Sequence, residues 1–121
     1  MYKYNLSGKT VIVTGAETGI GRAIAFRAAR DGACVTAAGI NEDGLNEVWN
    51  TAEKNGFQNN FSIMKVDIRD VVQVQDMVDK TTGKFGRLDA LVANAGVMIE
   101  RRPFIESTHQ EWHSVLSVNL L

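Results

Sequence analysis

A single cysteine, Cys34, and a single proline, Pro103, stand in a chain of 121 residues. One cysteine excludes an intrachain disulfide and fits a reducing, cytoplasmic setting. Cys34 lies in an apolar run with no neighbour that would activate it, so it reads as a small buried filler. The scarcity of proline goes with the absence of any proline-rich linker, repeat or low-complexity tract. No apolar run approaches the roughly 18 residues of a membrane span. The polar start, residues 1–9, carries no signal-peptide core. Charge of either sign is not in excess: 13 Lys and Arg face 14 Asp and Glu, for a formal net charge of -1. That balance gives no electrostatic case for a nucleic-acid partner. What remains is 45% apolar and 22% charged, the composition of a globular protein, at a length that fits one modest domain.

Strands and helices alternate along the chain. Lys9 to Thr14 is a short β-branched run and reads as a buried strand, and a glycine-rich turn follows it. Ile20, Ala23, Ile24 and Ala28 then recur at helical spacing, with Gly32 placed for a C-terminal cap. Cys34 to Ala38 reads as a second strand. Leu45, Val48, Trp49 and Ala52 mark a second helix, closed by Asn55 and Gly56. Phe61 to Val66 is a third strand. Asp70 is placed to cap a third helix whose apolar face includes Val71, Val74, Met77 and Val78. Leu88 to Ala93 is a fourth strand. Thr108 and Glu111 form a capping box that opens a helix carrying Trp112, Val115 and Leu116, and the chain ends within that helix. The pattern predicts an α/β fold, a Rossmann-type doubly wound parallel sheet of about four strands with flanking helices. The first three strands should form one side and the fourth should lie across the switch point, where a ligand would bind.

The first strand runs into Thr14-Gly15-Ala16-Glu17-Thr18-Gly19-Ile20-Gly21. A dinucleotide pyrophosphate needs a tight turn, backbone clear of side chains, and free N–H groups at a helix start. Gly15 can supply the turn, Gly19 and the N–H of Ile20 can face phosphate, and Gly21 can let the helix pack close. The spacing is Gly-x-x-x-Gly-x-Gly rather than the commoner Gly-x-Gly-x-x-Gly.

Several landmarks agree in order with one family. Leu6-Ser7-Gly8-Lys9 leads into the first strand, and Thr14 to Gly21 resembles the Thr-Gly-x-x-x-Gly-Ile-Gly signature of the short-chain dehydrogenase/reductase family. Asp67-Ile68 follows the third strand. Leu91-Val92-Ala93-Asn94-Ala95-Gly96 resembles the family's Asn-Asn-Ala-Gly motif, with Ala93 in place of the first asparagine. Ser117-Val118-Asn119-Leu120 resembles the helix bearing the family's fourth catalytic residue. The resemblance covers nearly the whole chain. It implies that Gly15, Thr18, Gly19, Ile20 and Gly21 hold the pyrophosphate of NAD or NADP. Gly39, Ile40 and Asn41 would lie at the adenosine ribose. Asp67 would bond the adenine amino group, with Ile68 against the ring. Asn94 would pin the central strands and, with Ala95 and Gly96, line the cofactor's ribose. Asn119 would be the catalytic residue, holding a water in the proton relay. Asn119 also shares a helix face with Trp112, and a polar group in an apolar stripe calls for a partner.

Two departures stand out. The family's serine and Tyr-x-x-x-Lys do not occur beyond Asn119, and Tyr2 and Tyr4 lie at the wrong end. Residues 1–121 are therefore expected to be a dinucleotide-binding domain cut off before the Ser/Tyr/Lys segment, without turnover alone. The second departure is Gly39, where many NAD users carry an acid, beside Ile40, where NADP users commonly carry an arginine. With no cation placed for a 2′-phosphate, the balance falls to NAD. The complete protein would act on an alcohol or carbonyl and form a homo-oligomer, by resemblance. A non-catalytic dinucleotide-binding module, and a structural fragment working only by association, are the competing readings. His109 and His113 are spaced as a zinc pair, but Gln110 stands where a metalloprotease helix needs Glu, so a solvated helix face and no metal site is expected. Arg101-Arg102 reads as a solvated pair bordering the substrate region.

Overall fold

The computed structural model describes residues 4–98 and 102–120. Among them lie four parallel strands: β1 (Thr10–Thr14), β2 (Cys34–Gly39), β3 (Phe61–Lys65) and β4 (Ala90–Val92). Four α-helices accompany them: α1 (Gly19–Arg30), α2 (Glu42–Lys54), α3 (Val71–Phe85) and α4 (His109–Asn119). The strand order is β3-β2-β1-β4. The chain thus leaves β3 at one edge and returns to the far side of β1, which makes the end of β1 the switch point. Val13 pairs with Ala37 on one side and Val92 on the other. All five residues of β1 are buried, as a strand covered on both faces should be.

Alternation along the strands divides the core into two layers. Val11, Val13, Val35 and Ala37 face α1 and α2, packing with Ala25, Ala28, Ala29, Val48, Ala52 and Phe61. Ile12 and Ala38 face the other way, toward Met77, Val74, Val78 and Leu88. Alanines on the helices let their backbones approach the sheet closely. Where helices begin, side chains cap three of the four. Asn41 Oδ1 accepts from Gly44 N (2.9 Å), Asp70 Oδ1 from Val72 N (2.9 Å), and Thr108 with Glu111 closes the capping box. At α1, Thr18 makes no side-chain cap.

Several expectations are corrected in detail. The buried face of α1 is Gly21, Ala25, Ala28 and Ala29, whereas Ile20 is 74% exposed and Ala23 is exposed. Gly21 sets this phase, because it alone can sit against the Gly15 carbonyl and Asn94. On α3, Val71 is 81% exposed, since it is the first helical residue and precedes the turn that reaches the sheet. Thr81, a turn from Met77, is buried instead, its hydroxyl 2.9 Å from that of Thr36. The fourth strand is shorter than Leu88 to Ala93. At its start the Asp89 carboxylate takes the Thr10 N–H (2.8 Å), and at its end Thr14 Oγ1 takes the N–H of Asn94 (3.1 Å). At the start the side chain adds to a backbone bond from Asp89 N–H to the Thr10 carbonyl (2.9 Å), and at the end a side chain takes over from the ladder. Cys34, the first residue of β2, is half-buried rather than buried. No residue of α4 is buried, and Trp112 and Leu116 are exposed, so its apolar stripe is not a core stripe. Trp112 instead meets Phe104 edge-on at 5.6 Å and donates from Nε1 to Ser107 Oγ (2.8 Å).

Candidate dinucleotide site

The carboxyl ends of β1, β2 and β4 and the segments that follow them enclose a cleft. Gly15, Glu17, Gly39, Asp67, Ala95 and Val118 are among its walls. The turn out of β1 owes its shape to glycine. Gly15 has φ +64° and Gly19 has φ +57°, conformations that L side chains rarely adopt. At Gly21 the constraint is space. A Cβ there would overlap the carbonyl of Gly15 and crowd Asn94 Nδ2. These three glycines bring the start of α1 to the sheet with its first N–H groups bare of any capping side chain. Thr18, Gly19 and Ile20 are exposed beside it.

Asn94 locks the turn to β4. Its Nδ2 donates to the carbonyls of Thr14 (3.1 Å) and Gly15 (3.2 Å). Thr14 Oγ1 completes the lock by accepting from the backbone N–H of Asn94 and of Ala95, both at 3.1 Å. Ala95 and Gly96 then border the cleft. Asn119 anchors the following residue: its Oδ1 accepts from Val97 N (2.8 Å) and its Nδ2 donates to Val97 O (2.9 Å). Both ends of the amide are therefore engaged with one backbone unit.

At the end of β2, Gly39 and Ile40 line the cleft, whereas Asn41 serves as the α2 cap. Asp67 and Ile68 line it from the end of β3. The Asp67 carboxylate is gripped by the Arg69 guanidinium at 3.0 and 2.8 Å and by the Arg69 N–H at 3.0 Å. The guanidinium bonds first, and the backbone N–H second, hold its pKa down at about 2.

Three residues make contacts at the site that the sequence does not reveal. Thr14, the last residue of β1, also bridges β1 and β4 through its hydroxyl. Val118 lines the cleft, outside the stripe of Trp112, Val115 and Leu116 that the helical period marks on α4. Glu17 folds over the end of β2, where burial pushes its carboxyl above the ordinary range against N–H groups of Glu17 and Ile40 that donate to it. Its Oε2 is buried with no hydrogen-bond partner. The signal was an acid in the turn together with a glycine at the end of the next strand.

Elsewhere, Arg102 is not simply solvated but pairs with Glu111 (2.8 Å), while Arg101 and Tyr2 lie outside the described residues. His109 and His113 are exposed. Among the described residues no group of three or more His, Cys, Asp or Glu could hold a metal ion, and no helix is long and apolar enough to cross a membrane.

The site observations fit a dinucleotide. A turn that is closed to a Cβ at Gly15 and Gly21 leads to a helix start without a side-chain cap, and a buried carboxylate oxygen with no partner among the described residues stands nearby. Comparison with known proteins agrees. The chain is 37% identical over 117 residues to a protein named short chain dehydrogenase/reductase dpmpG from Macrophomina phaseolina, covering 96% of this chain and 66% of that one. It is 34% identical to 3beta-hydroxysteroid dehydrogenase 2 of Eggerthella lenta, covering 95% of this chain and 44% of the relative. A short chain dehydrogenase/reductase from Burkholderia phymatum, solved in complex with NAD, superposes with a TM-score of 0.86 at 30% identity over 99% of this chain and 41% of its own. The chain thus spans less than two thirds of the length of these proteins. The family model for short chain dehydrogenase matches residues 9–121, and with the β3-β2-β1-β4 sheet and its glycine turn this chain belongs to the short-chain dehydrogenase family.

Proposed function

We propose that this chain binds a nicotinamide dinucleotide, NAD in preference to NADP, and that the whole protein transfers hydride between that cofactor and an alcohol or carbonyl substrate. The observation that carries the reading is the turn from Gly15 to Gly21. Gly15 and Gly19 give it a left-handed backbone, Gly21 lets it close against Asn94, and the helix that follows starts with no capping side chain at the edge of the cleft. In this reading Gly15, Thr18, Gly19, Ile20 and Gly21 hold the pyrophosphate. Gly39, Ile40 and Asn41 border the adenosine ribose, and Asp67 and Ile68 the adenine. Asp67 is ionised at neutral pH, and Arg69 fixes the orientation of its carboxylate at the cleft. Asn94, Ala95 and Gly96 form the floor beside the second ribose. Asn119 holds the Val97 backbone and thereby the wall that Ala95 and Gly96 belong to.

When bound, the nicotinamide ring supplies the hydride donor or acceptor. The described residues that line the cleft include no tyrosine, lysine or histidine to move the accompanying proton. Residues 1–121 by themselves are therefore expected to bind without turnover. Calorimetric titration with NAD and with NADP tests the reading. Saturable binding is expected, and Gly21→Ala should abolish it, because the added methyl displaces the turn from Asn94. Binding by Gly21→Ala equal to that of the parent would place the ligand elsewhere.

A further inference from the structure

Glycine at position 39 is not required by its backbone, which lies outside the left-handed region. It is required by space. A Cβ there would collide with the carboxylate of Glu17. Gly44, in the first turn of α2, borders the same side chain: a Cβ there would stand 3.0 Å from Glu17 Cβ and 3.4 Å from its Cγ. Two glycines thus clear a slot between β2 and α2, and an acid from the preceding turn fills it.

The contents of the slot are not those of a structural ion pair. Among the described residues no cation pairs with Glu17, and Oε2 has no hydrogen-bond partner, although backbone N–H groups of Glu17 and Ile40 donate to the carboxyl group. Burial without a partner costs free energy, and such orphan groups in native proteins call for a functional account. The position suggests one. In dinucleotide-binding folds a carboxylate at the end of the second strand accepts hydrogen bonds from the ribose hydroxyls. Here the strand ends in Gly39, and the carboxylate beside it comes from the loop instead.

We propose that Glu17, lodged in the slot left by Gly39 and Gly44, is the acceptor for the 2′,3′-diol of the adenosine ribose and the residue that selects NAD over NADP. The inference rests on the dinucleotide-binding reading of the cleft. A diol brings hydrogen-bond donors to a desolvated acceptor. A 2′-phosphate brings negative charge against a carboxylate, and no lysine or arginine lines the cleft among the described residues. The swap also explains the missing acid of the strand: an Asp at 39 and a Glu at 17 would compete for one volume.

The test is calorimetric titration of the parent chain, Glu17→Gln, Glu17→Ala and the double variant Glu17→Ala/Gly39→Asp, each with NAD and with NADP. The parent should bind NAD at least about tenfold more tightly than NADP. Glu17→Gln and Glu17→Ala should each weaken NAD by about tenfold or more, the loss of a charged acceptor, and narrow the preference. The double variant should recover preference for NAD, because it returns the carboxylate from the strand. Thermal melting without ligand adds a readout that separates roles. Glu17→Gln should melt no lower than the parent, since it removes a buried charge, whereas a carboxylate that merely braces the loop would lose stability on the same change. NAD binding by both single variants equal to that of the parent overturns the assignment of Glu17 while leaving the dinucleotide reading intact. Failure of the folded parent to bind either dinucleotide overturns that reading, and the assignment with it.

Discussion

Asp67 and Arg69, two residues apart, hold each other in a forked geometry at the rim of the cleft. The pair has a pH consequence whose sign follows from linkage. Asp67 ionises at about 2 in the folded chain, below its ordinary 3.8. Its contribution is therefore present above about 3.8 and lost as pH falls through about 2. Both groups are solvent-accessible, so the effect on overall stability should be small. The clean measurement is Asp67 carboxyl titration by carbon NMR. Arg69→Ala should bring the midpoint back toward the ordinary carboxylate range; a midpoint that stayed near 2 would assign the depression to groups other than the Arg69 side chain. Arg69 and Asp67 are neighbours in sequence, so their pairing was accessible to sequence reasoning. The contact of Glu17 with Gly39 left only a weaker signal, an acid in one segment and a glycine in another, because it joins the turn after β1 to the end of β2, 22 positions along the chain.

Elements were legible where side-chain period and capping chemistry act locally. Asp70 before α3, Asn55 and Gly56 after α2, and the Thr108 and Glu111 box before α4 are each within four residues of the backbone they satisfy. Helix faces were less legible. The apolar period of α1 named Ile20, Ala23, Ile24 and Ala28; Ala28 is buried and Ile24 packs partly buried against the core, but Ile20 and Ala23 are exposed because the inward face is phased by the fit of Gly21 against Asn94. On α3 the period passed over Thr81 because it is polar. Its hydroxyl is buried against that of Thr36 on β2, each serving the other. Thr81→Val should leave Thr36 Oγ1 buried without its partner and cost about 1–3 kcal/mol. The double change Thr36→Val/Thr81→Val should recover much of that loss, since it removes both polar groups together. Chemical denaturation of the two single variants and the double checks this. Strictly additive losses would show that the hydroxyls do not depend on one another.

For the whole molecule, exposed apolar surface is found along β4 and on α1. Its single paired neighbour among the described residues is β1, and Leu91 is 58% exposed. A strand with one unpaired edge and an apolar side chain facing outward is a template for another chain. On α1, Ile20 and Ile24 line an open apolar groove together with Tyr4 and Leu6. The 121-residue chain is therefore expected to self-associate at micromolar concentration, and Leu91→Lys should shift it toward monomer in sedimentation velocity. A monodisperse monomer of the parent that melts cooperatively would contradict this. Dinucleotide binding and association are separable, since the glycine turn lies at the carboxyl ends of the strands rather than along the β4 edge.

Period, caps and the spacing of Gly15, Gly19 and Gly21 determined the alternation of strands and helices, the parallel sheet and the place of the cleft. Those features depend on residues within a turn or a strand of one another, and sequence order preserves such neighbours. The tertiary structure decided what depends on approach between distant segments. It decided which face of α1 is inside, where β4 begins and ends, which residue Thr81 answers, and that a carboxylate from the β1 turn stands beside the end of β2. The physical reason is volume. A glycine in a sequence permits many conformations, and only the packed chain shows whether its missing side chain makes room for a turn, for a neighbouring backbone, or for the side chain of another residue.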